Sequence, residues 1–107
     1  MQIVVHVMAR PSLRESLREI VIADLQKWEY HLEVEREKKL GRRNGWAKIK
    51  AKDLTGAINI YWHANSKTLI VRVVGKQGPP AELVGRFIGY LLQHRRKDVS
   101  SIAIRTM

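Results

Sequence analysis

The sequence predicts an α+β fold in which one antiparallel sheet carries its helices on a single face. Three observations predict it. Three consecutive runs alternate apolar and polar residues, two segments repeat apolar residues at helical spacing, and the strongest turn signals fall between these segments. The chain has 107 residues, 45% of them hydrophobic, which suits one core and the usual size of one domain. No linker-like, low-complexity or repeated stretch divides it. Residues 1–107 are therefore read as a single domain in the order β-α-(β)-β-β-β-α-β.

Residues 2–8 are rich in Val and Ile and read as a buried strand. Pro11 and Ser12 break it, and Ser12 with Glu15 forms a capping-box pattern that opens a helix. Leu13, Leu17, Ile20, Val21, Leu25, Trp28 and Leu32 give that helix an apolar face. Continued to Leu40 it would be about 43 Å long. A domain of this size has a radius of gyration of about 13 Å, so a break is expected near Trp28–Tyr30. Beyond it, Tyr30, Leu32 and Val34 alternate with His31, Glu33 and Glu35, and 30–36 is read as a strand. The composition of 35–40, ending at Gly41, would equally suit a helix with a glycine stop.

Residues 46–52, 57–63 and 68–74 form the three alternating runs, separated by Asp53-Leu54-Thr55-Gly56 and Ala64-Asn65-Ser66-Lys67. Both separators carry turn residues, so the unit is an antiparallel meander. The stretch from Gly75 to Pro80 then leads into a second helix, with proline suited to its first turn. Val84, Phe87, Ile88, Leu91 and Leu92 are its expected core stripe. His94-Arg95-Arg96-Lys97 ends it, where cations favour a helix C-terminus, and 101–105 is a last short strand. Ala81, Gly85 and Gly89 recur every four residues and are read as a stripe for close internal packing.

Alternation sorts the meander into two faces. Ala47, Ile49, Ala51, Ile58, Ile60, Trp62, Leu69, Val71 and Val73 are all apolar and are expected to pack on the helices. The opposite set contains Trp46, Lys48, Lys50, Lys52, Asn59, Tyr61, His63, Thr68, Ile70, Arg72 and Val74. Antiparallel sheets commonly leave one face in water. Here that face is basic and aromatic, with no acidic partner expected on it.

The formal net charge is +10, and it is unevenly spread. Residues 1–37 hold five basic and seven acidic side chains, whereas 38–107 hold fifteen basic and three acidic. Such a field attracts polyanions. Lys48, Lys50 and Lys52 can track a phosphate backbone, while Trp46 and Tyr61 offer surfaces on which bases stack. Lys38, Lys39, Arg42 and Arg43 form a basic loop hinged by Gly41 and Gly45 beside the sheet, an arm for nucleic acid. With His63, Arg72 and Lys76 these residues make up the expected nucleic-acid-binding surface, RNA or single strands being favoured. The competing reading is a basic protein-interaction or assembly module, which meets an acidic protein partner or forms a homodimer through an exposed strand.

Other chemistry finds less purchase. The chain has no cysteine, which excludes disulfides, thiolate zinc sites and a cysteine nucleophile and suits a reducing cytoplasm. Four histidines are scattered without metal-ligand spacing. The loop at Gly75–Gly78 lacks a phosphate-loop pattern, and Pro79 and Pro80 remove backbone donors. No cofactor and no metal is expected. No apolar run approaches the roughly 20 residues that span a bilayer, so a soluble, cytoplasmic protein without membrane contact is expected.

An enzymatic alternative remains. Lys48, Lys50, Tyr61, His63 and Arg72 lie on neighbouring strands, and such groups can move a 2′-hydroxyl proton and stabilise a crowded phosphate. The β-α-β-β-β layout and the run from Ala57 to Lys76 resemble RelE-type ribosome-dependent mRNA interferases, toxins that carry basic residues on their sheet. The likeness is one of strand pattern and carries no diagnostic motif, and the C-terminal helix and strand depart from that family's usual ending. It implies a metal-independent ribonuclease. In layout alone the α-β-β-β-α core also resembles double-stranded-RNA-binding and signal-recognition-particle RNA-binding modules.

Overall fold

A computed structural model describes residues 1–8, 16–27, 30–40 and 43–106, with the backbone alone for 36–40, 43 and 44. The order is β1 (Gln2–Val7), α1 (Leu17–Leu25), β2 (Glu33–Leu40), β3 (Arg43–Lys50), β4 (Ala57–His63), β5 (Thr68–Val74), α2 (Ala81–His94) and β6 (Val99–Arg105). The strands form one six-stranded sheet in the spatial order β2-β3-β4-β5-β1-β6, and every pairing is antiparallel. Since β5 and β6 both oppose β1, they run parallel to each other, and α2 is the crossover that joins them. The fold is α+β.

Register aligns Ala47 with Ile60, Ile60 with Val71 and Val71 with Ile3 across four strands. These residues share one buried cluster with Leu17, Val21 and Leu25 of α1 and with Leu83, Phe87 and Leu91 of α2. Both helices therefore cover the same face, the one to which alternation assigns the apolar set.

The ends of the elements refine the sequence reading. Ser16 is the N-cap of α1, with extended backbone, and its hydroxyl accepts from the Glu19 N–H at 3.2 Å. An extended Ser16 cannot lie inside a helix, so the helix does not run on from Ser12. The motif that caps it is Ser16-Leu17-Arg18-Glu19; Ser12, Leu13 and Glu15 lie outside the described residues. The break comes at Gln26, just ahead of the expected Trp28–Tyr30, and Trp28 also lies outside the described residues. The segment after it is a strand, as read, but it spans Glu33–Leu40 and pairs with β3 up to Leu40 and Arg43. Lys38, Lys39 and Arg43 thus belong to a strand pair and not to a loop. Their side chains, and Arg42 entirely, lie outside the described residues.

In α2 the buried positions are Leu83, Val84, Phe87, Tyr90 and Leu91, with Ile88 packed against the core. Leu92 was expected inside but is 49% exposed. A Cβ added at Gly85 or Gly89 would meet nothing within 4 Å. Internal close packing is therefore not what the small-residue stripe provides. Gly56, by contrast, is constrained twice: its φ of +91° favours glycine, and a Cβ there would lie 2.6 Å from Pro80. That approach seats the start of β4 against the N-cap of α2.

Three arginines pin the helices. Fully buried Arg18 of α1 donates from Nε to the Gly45 carbonyl of β3 at 2.9 Å. Arg86 of α2 donates to both carboxylate oxygens of Asp53, at 2.7 and 2.9 Å, and to the His31 carbonyl at 3.1 Å. These hydrogen bonds hold the Asp53 carboxyl down at about 2. Arg95, at the end of α2, grips buried Asp24 of α1 through two 2.6 Å bonds, and Tyr90 donates to the same carboxylate at 2.5 Å. Burial raises the Asp24 carboxyl, but the bonds from Arg95 and Tyr90 and the nearby charges outweigh it, and the group sits below its ordinary 3.8.

A carboxyl depressed in the folded state adds stability above its unfolded pKa and loses it as pH falls through the folded value. Asp24→Asn is therefore expected to lower unfolding stability by about 2–3 kcal/mol at pH 7, because it uncouples a buried, hydrogen-bonded charge. The gap between variant and parent should narrow as pH falls below the ordinary 3.8, where the unfolded carboxyl takes a proton first, and close once the folded carboxyl does so at lower pH. Urea unfolding at pH 7 and pH 3 checks both statements.

Candidate functional site

The face away from the helices is assembled row by row from the register. One row reads Lys48, Asn59, Arg72, Gln2, Arg105 across β3, β4, β5, β1 and β6. The next reads Tyr61, Ile70, Val4, Ala103, and Trp46 extends it onto β3 through a ring contact with Tyr61. A third holds His63, Thr68, His6 and Ser101, although Thr68, expected in water, is buried at 3% exposure beneath the β4–β5 turn network. Rows on one face lie about 6.6–6.8 Å apart along the strands, and neighbouring strands about 4.8 Å apart. The sheet thus carries an apolar and aromatic band flanked by a cationic row.

The band is open to a partner. Trp46, Tyr61, Ile70 and Val4 are half-buried and Ala103 is exposed. The Trp46 and Tyr61 rings meet at a centroid distance of 5.2 Å, tilted by 39°. The Arg72 guanidinium carbon lies 5.2 Å from the Trp46 ring centroid, a cation–π contact. Tryptophan, tyrosine and arginine from three adjacent strands therefore form one cluster.

Lys48 and Lys50 project onto this face as expected, their side chains 33% and 40% exposed. The absence of an acidic partner is corrected. Glu35 of β2 places its carboxylate 3.8 Å from Lys48 Nζ and 3.7 Å from Lys50 Nζ. Glu35 sits where the β2–β3 register shifts between Val34 and Arg36, an irregularity that simple alternation does not reveal. Exposed pairs at such distances are worth little, about 0.2–1 kcal/mol.

Lys50 and Lys48 also line an open groove with Thr55, Gly75, Lys76 and Gln77. Lys76 therefore joins the site from the loop beyond β5. Lys52 is exposed but lies past the end of β3, so it does not extend the lysine row of that strand. Arg105, Gln2 and the aliphatic band on β1, β5 and β6 were not singled out from sequence. Their signal lies in pairings between strands distant along the chain.

The set Lys48, Lys50, Tyr61, His63 and Arg72 does not converge on one phosphate. Lys50 lies in the row of Ala57, and His63 is six residues further along β4, about 20 Å away. His63 Nδ1 is 2.7 Å from the Ser66 hydroxyl, which in turn is 2.7 Å from that of Thr68, a network closing the β4–β5 turn. Among the described residues no three His, Asp or Glu side chains gather as a metal site. No described helix is long and apolar enough to cross a membrane.

No family model, curated protein or solved structure matches this chain. The site is therefore read from its own chemistry.

Glu35→Gln leaves the backbone pairing in place and removes the carboxylate that lies within 4 Å of both Lys48 and Lys50. It should shift the melting temperature by less than the equivalent of about 1 kcal/mol. If polyanions occupy this face, the same substitution should raise heparin or oligonucleotide affinity about threefold or more, by freeing two cations. Calorimetric melting and fluorescence anisotropy read the two effects separately.

Proposed function

We propose that this chain is a nucleic-acid-binding protein that engages single-stranded nucleic acid, RNA in particular, on the open face of its sheet. The observation that carries this reading is the Trp46–Tyr61–Arg72 cluster on an uncovered face, one row from Lys48, Arg72 and Arg105. Recognition of single strands needs two physical elements, flat π-surfaces for unpaired bases and cations spaced along the backbone. Both occur here side by side. The bases of a duplex are already stacked on one another, so the aromatic pair favours the unpaired form.

Stacking and phosphate contacts do not distinguish one base sequence from another, so binding is expected to tolerate many sequences. Phosphate contacts position the partner without identifying it. The backbone contacts would come from Lys48, Lys50, Arg72, Lys76 and Arg105. Lys38, Lys39, Arg42 and Arg43 belong to the chain's most basic stretch of sequence and join the same proposal through charge alone.

Neutralising about four phosphates predicts that log affinity for a single strand falls with log salt at a slope of about −3. Trp46→Ala and Tyr61→Ala should each weaken single-strand binding by about 1–3 kcal/mol while affecting duplex binding far less. Arg72→Ala should weaken binding to all sequences alike. Anisotropy titrations with labelled single-stranded and duplex oligonucleotides between 50 and 300 mM salt test these statements. A flat salt response, or no binding at the lowest salt, overturns the reading.

A further inference from the structure

We infer that the bound strand lies across the β-strands rather than along them, in a site about four nucleotides long. The inference rests on the nucleic-acid reading of the same face and adds the path and length of the ligand. Along β3 the described open-face cations are Lys48 and Lys50, and Lys52 lies beyond the strand. Towards the other end of β3 the next described open-face residue is Trp46. Among the described side chains, a backbone lying parallel to β3 would meet two lysines, both facing Glu35.

Across the strands the chemistry is continuous. Lys48, Arg72 and Arg105 occupy the first, third and fifth strands of one row, with the neutral hydrogen-bonding side chains Asn59 and Gln2 between them. Neighbouring strands lie about 4.8 Å apart, so the row spans about 19 Å, with a cation every 10 Å or so. The adjacent row, Trp46, Tyr61, Ile70, Val4 and Ala103, follows the same line on the side where bases would rest. Phosphates on one row and bases on the other suit a strand of about four nucleotides, the low end of single-strand site sizes. Arg72, which lies over Trp46, reaches from the cationic row into the aromatic one. The groove lined by Lys48, Lys50 and Lys76 runs beside the cationic row over β3–β5, on the side away from the aromatic row, and offers a further cation to the same backbone.

A second copy of the chain is the other occupant that an apolar band suggests. Charge opposes it: a face-to-face pair related by a two-fold axis would bring two arrays of Lys48, Arg72 and Arg105 together. A phosphate backbone complements the same row.

The test uses the intact protein with labelled oligouridylates of two, four, six and ten nucleotides, titrated at low salt, alongside sedimentation equilibrium. Affinity should climb to about four nucleotides and then rise only by the few-fold statistical gain of overlapping sites. Arg105→Ala, on the strand furthest from β3, should weaken tetranucleotide binding about as much as Lys48→Ala, on the order of fivefold, with melting unchanged. Affinity that continues to climb steeply to ten nucleotides, with Arg105→Ala silent, overturns the crossing path and leaves single-strand binding standing. Absence of binding at every length overturns both. If the protein instead dimerises and Val4→Asp dissociates the dimer while oligonucleotide binding is untouched, the band is a contact between copies and the inference fails.

Discussion

Both helices press on one face of the sheet, so on the other face the alternate side chains of β1, β3, β4 and β5 must be satisfied by water or by something outside the chain. The register that enforces this has little freedom. A slip of one residue would turn Ile49, Ile58, Ile60 and Val71 outward and bring Lys48 and Arg72 beneath the helices. Re-exposing four such side chains costs about 1.5–3 kcal/mol each, comparable to the whole stability of a small domain at 5–15 kcal/mol. The composition of the open face is thus fixed by the needs of the covered one. Trp46, Tyr61, Arg72 and Lys48 stand together because their neighbours had to be buried.

Charge is redistributed by the same folding. Along the chain, acids concentrate before residue 38 and bases after it. In three dimensions the two halves partly neutralise each other, since Asp24 of α1 is held by Arg95 at the end of α2. Asp98, also buried, lies 3.6 Å from the same guanidinium. Asp53 is occupied by Arg86. On the helical side, then, arginines and carboxylates serve the architecture. The basic end of α2, read from sequence as a helix-dipole feature, is chiefly the anchor that ties α2 to α1. On the open face the described carboxylates are confined to β2 at one edge, and the cationic row runs away from them towards β6. The contrast that matters for an anionic partner lies between the two faces, and the split at residue 38 only hints at it.

The meander was legible because it obeys a local rule: strict alternation over β3, β4 and β5 places every residue on a face without further information. The uncertain segment after α1 proved to be a strand, since Leu32 is buried and Glu33 pairs directly with Lys50. What stayed hidden depends on contacts remote in sequence. Gln2 faces Arg72 and Arg105 only because β1 inserts between β5 and β6. Glu35 reaches Lys48 and Lys50 only because β2 departs from regular pairing there. Arg18 reads as a polar position on an amphipathic helix, yet it is fully buried against the Gly45 carbonyl. The helix start was placed too early because Ser12 and Ser16 head equally good capping patterns, and a pattern alone does not choose between them.

The residues of the open face also carry a structural share, and its size separates the two roles. Val4 and Ile70 suit a pleated surface whatever lies above them. The Trp46–Tyr61 contact is a cross-strand pair, of a kind that contributes about 0.2–1 kcal/mol to a sheet. An exposed cation over an aromatic ring adds about 0.5–1 kcal/mol. A base stacked on one of these rings contributes about 1–3 kcal/mol, and the salt-dependent backbone attraction comes on top of it. If the proposed function holds, truncating Trp46 should therefore remove more from a complex than from the fold, whereas truncating Phe87 or Tyr90 on the covered side should remove stability first. On the proposed function this inequality is the expected signature, since residues retained for the sheet alone would rank the other way.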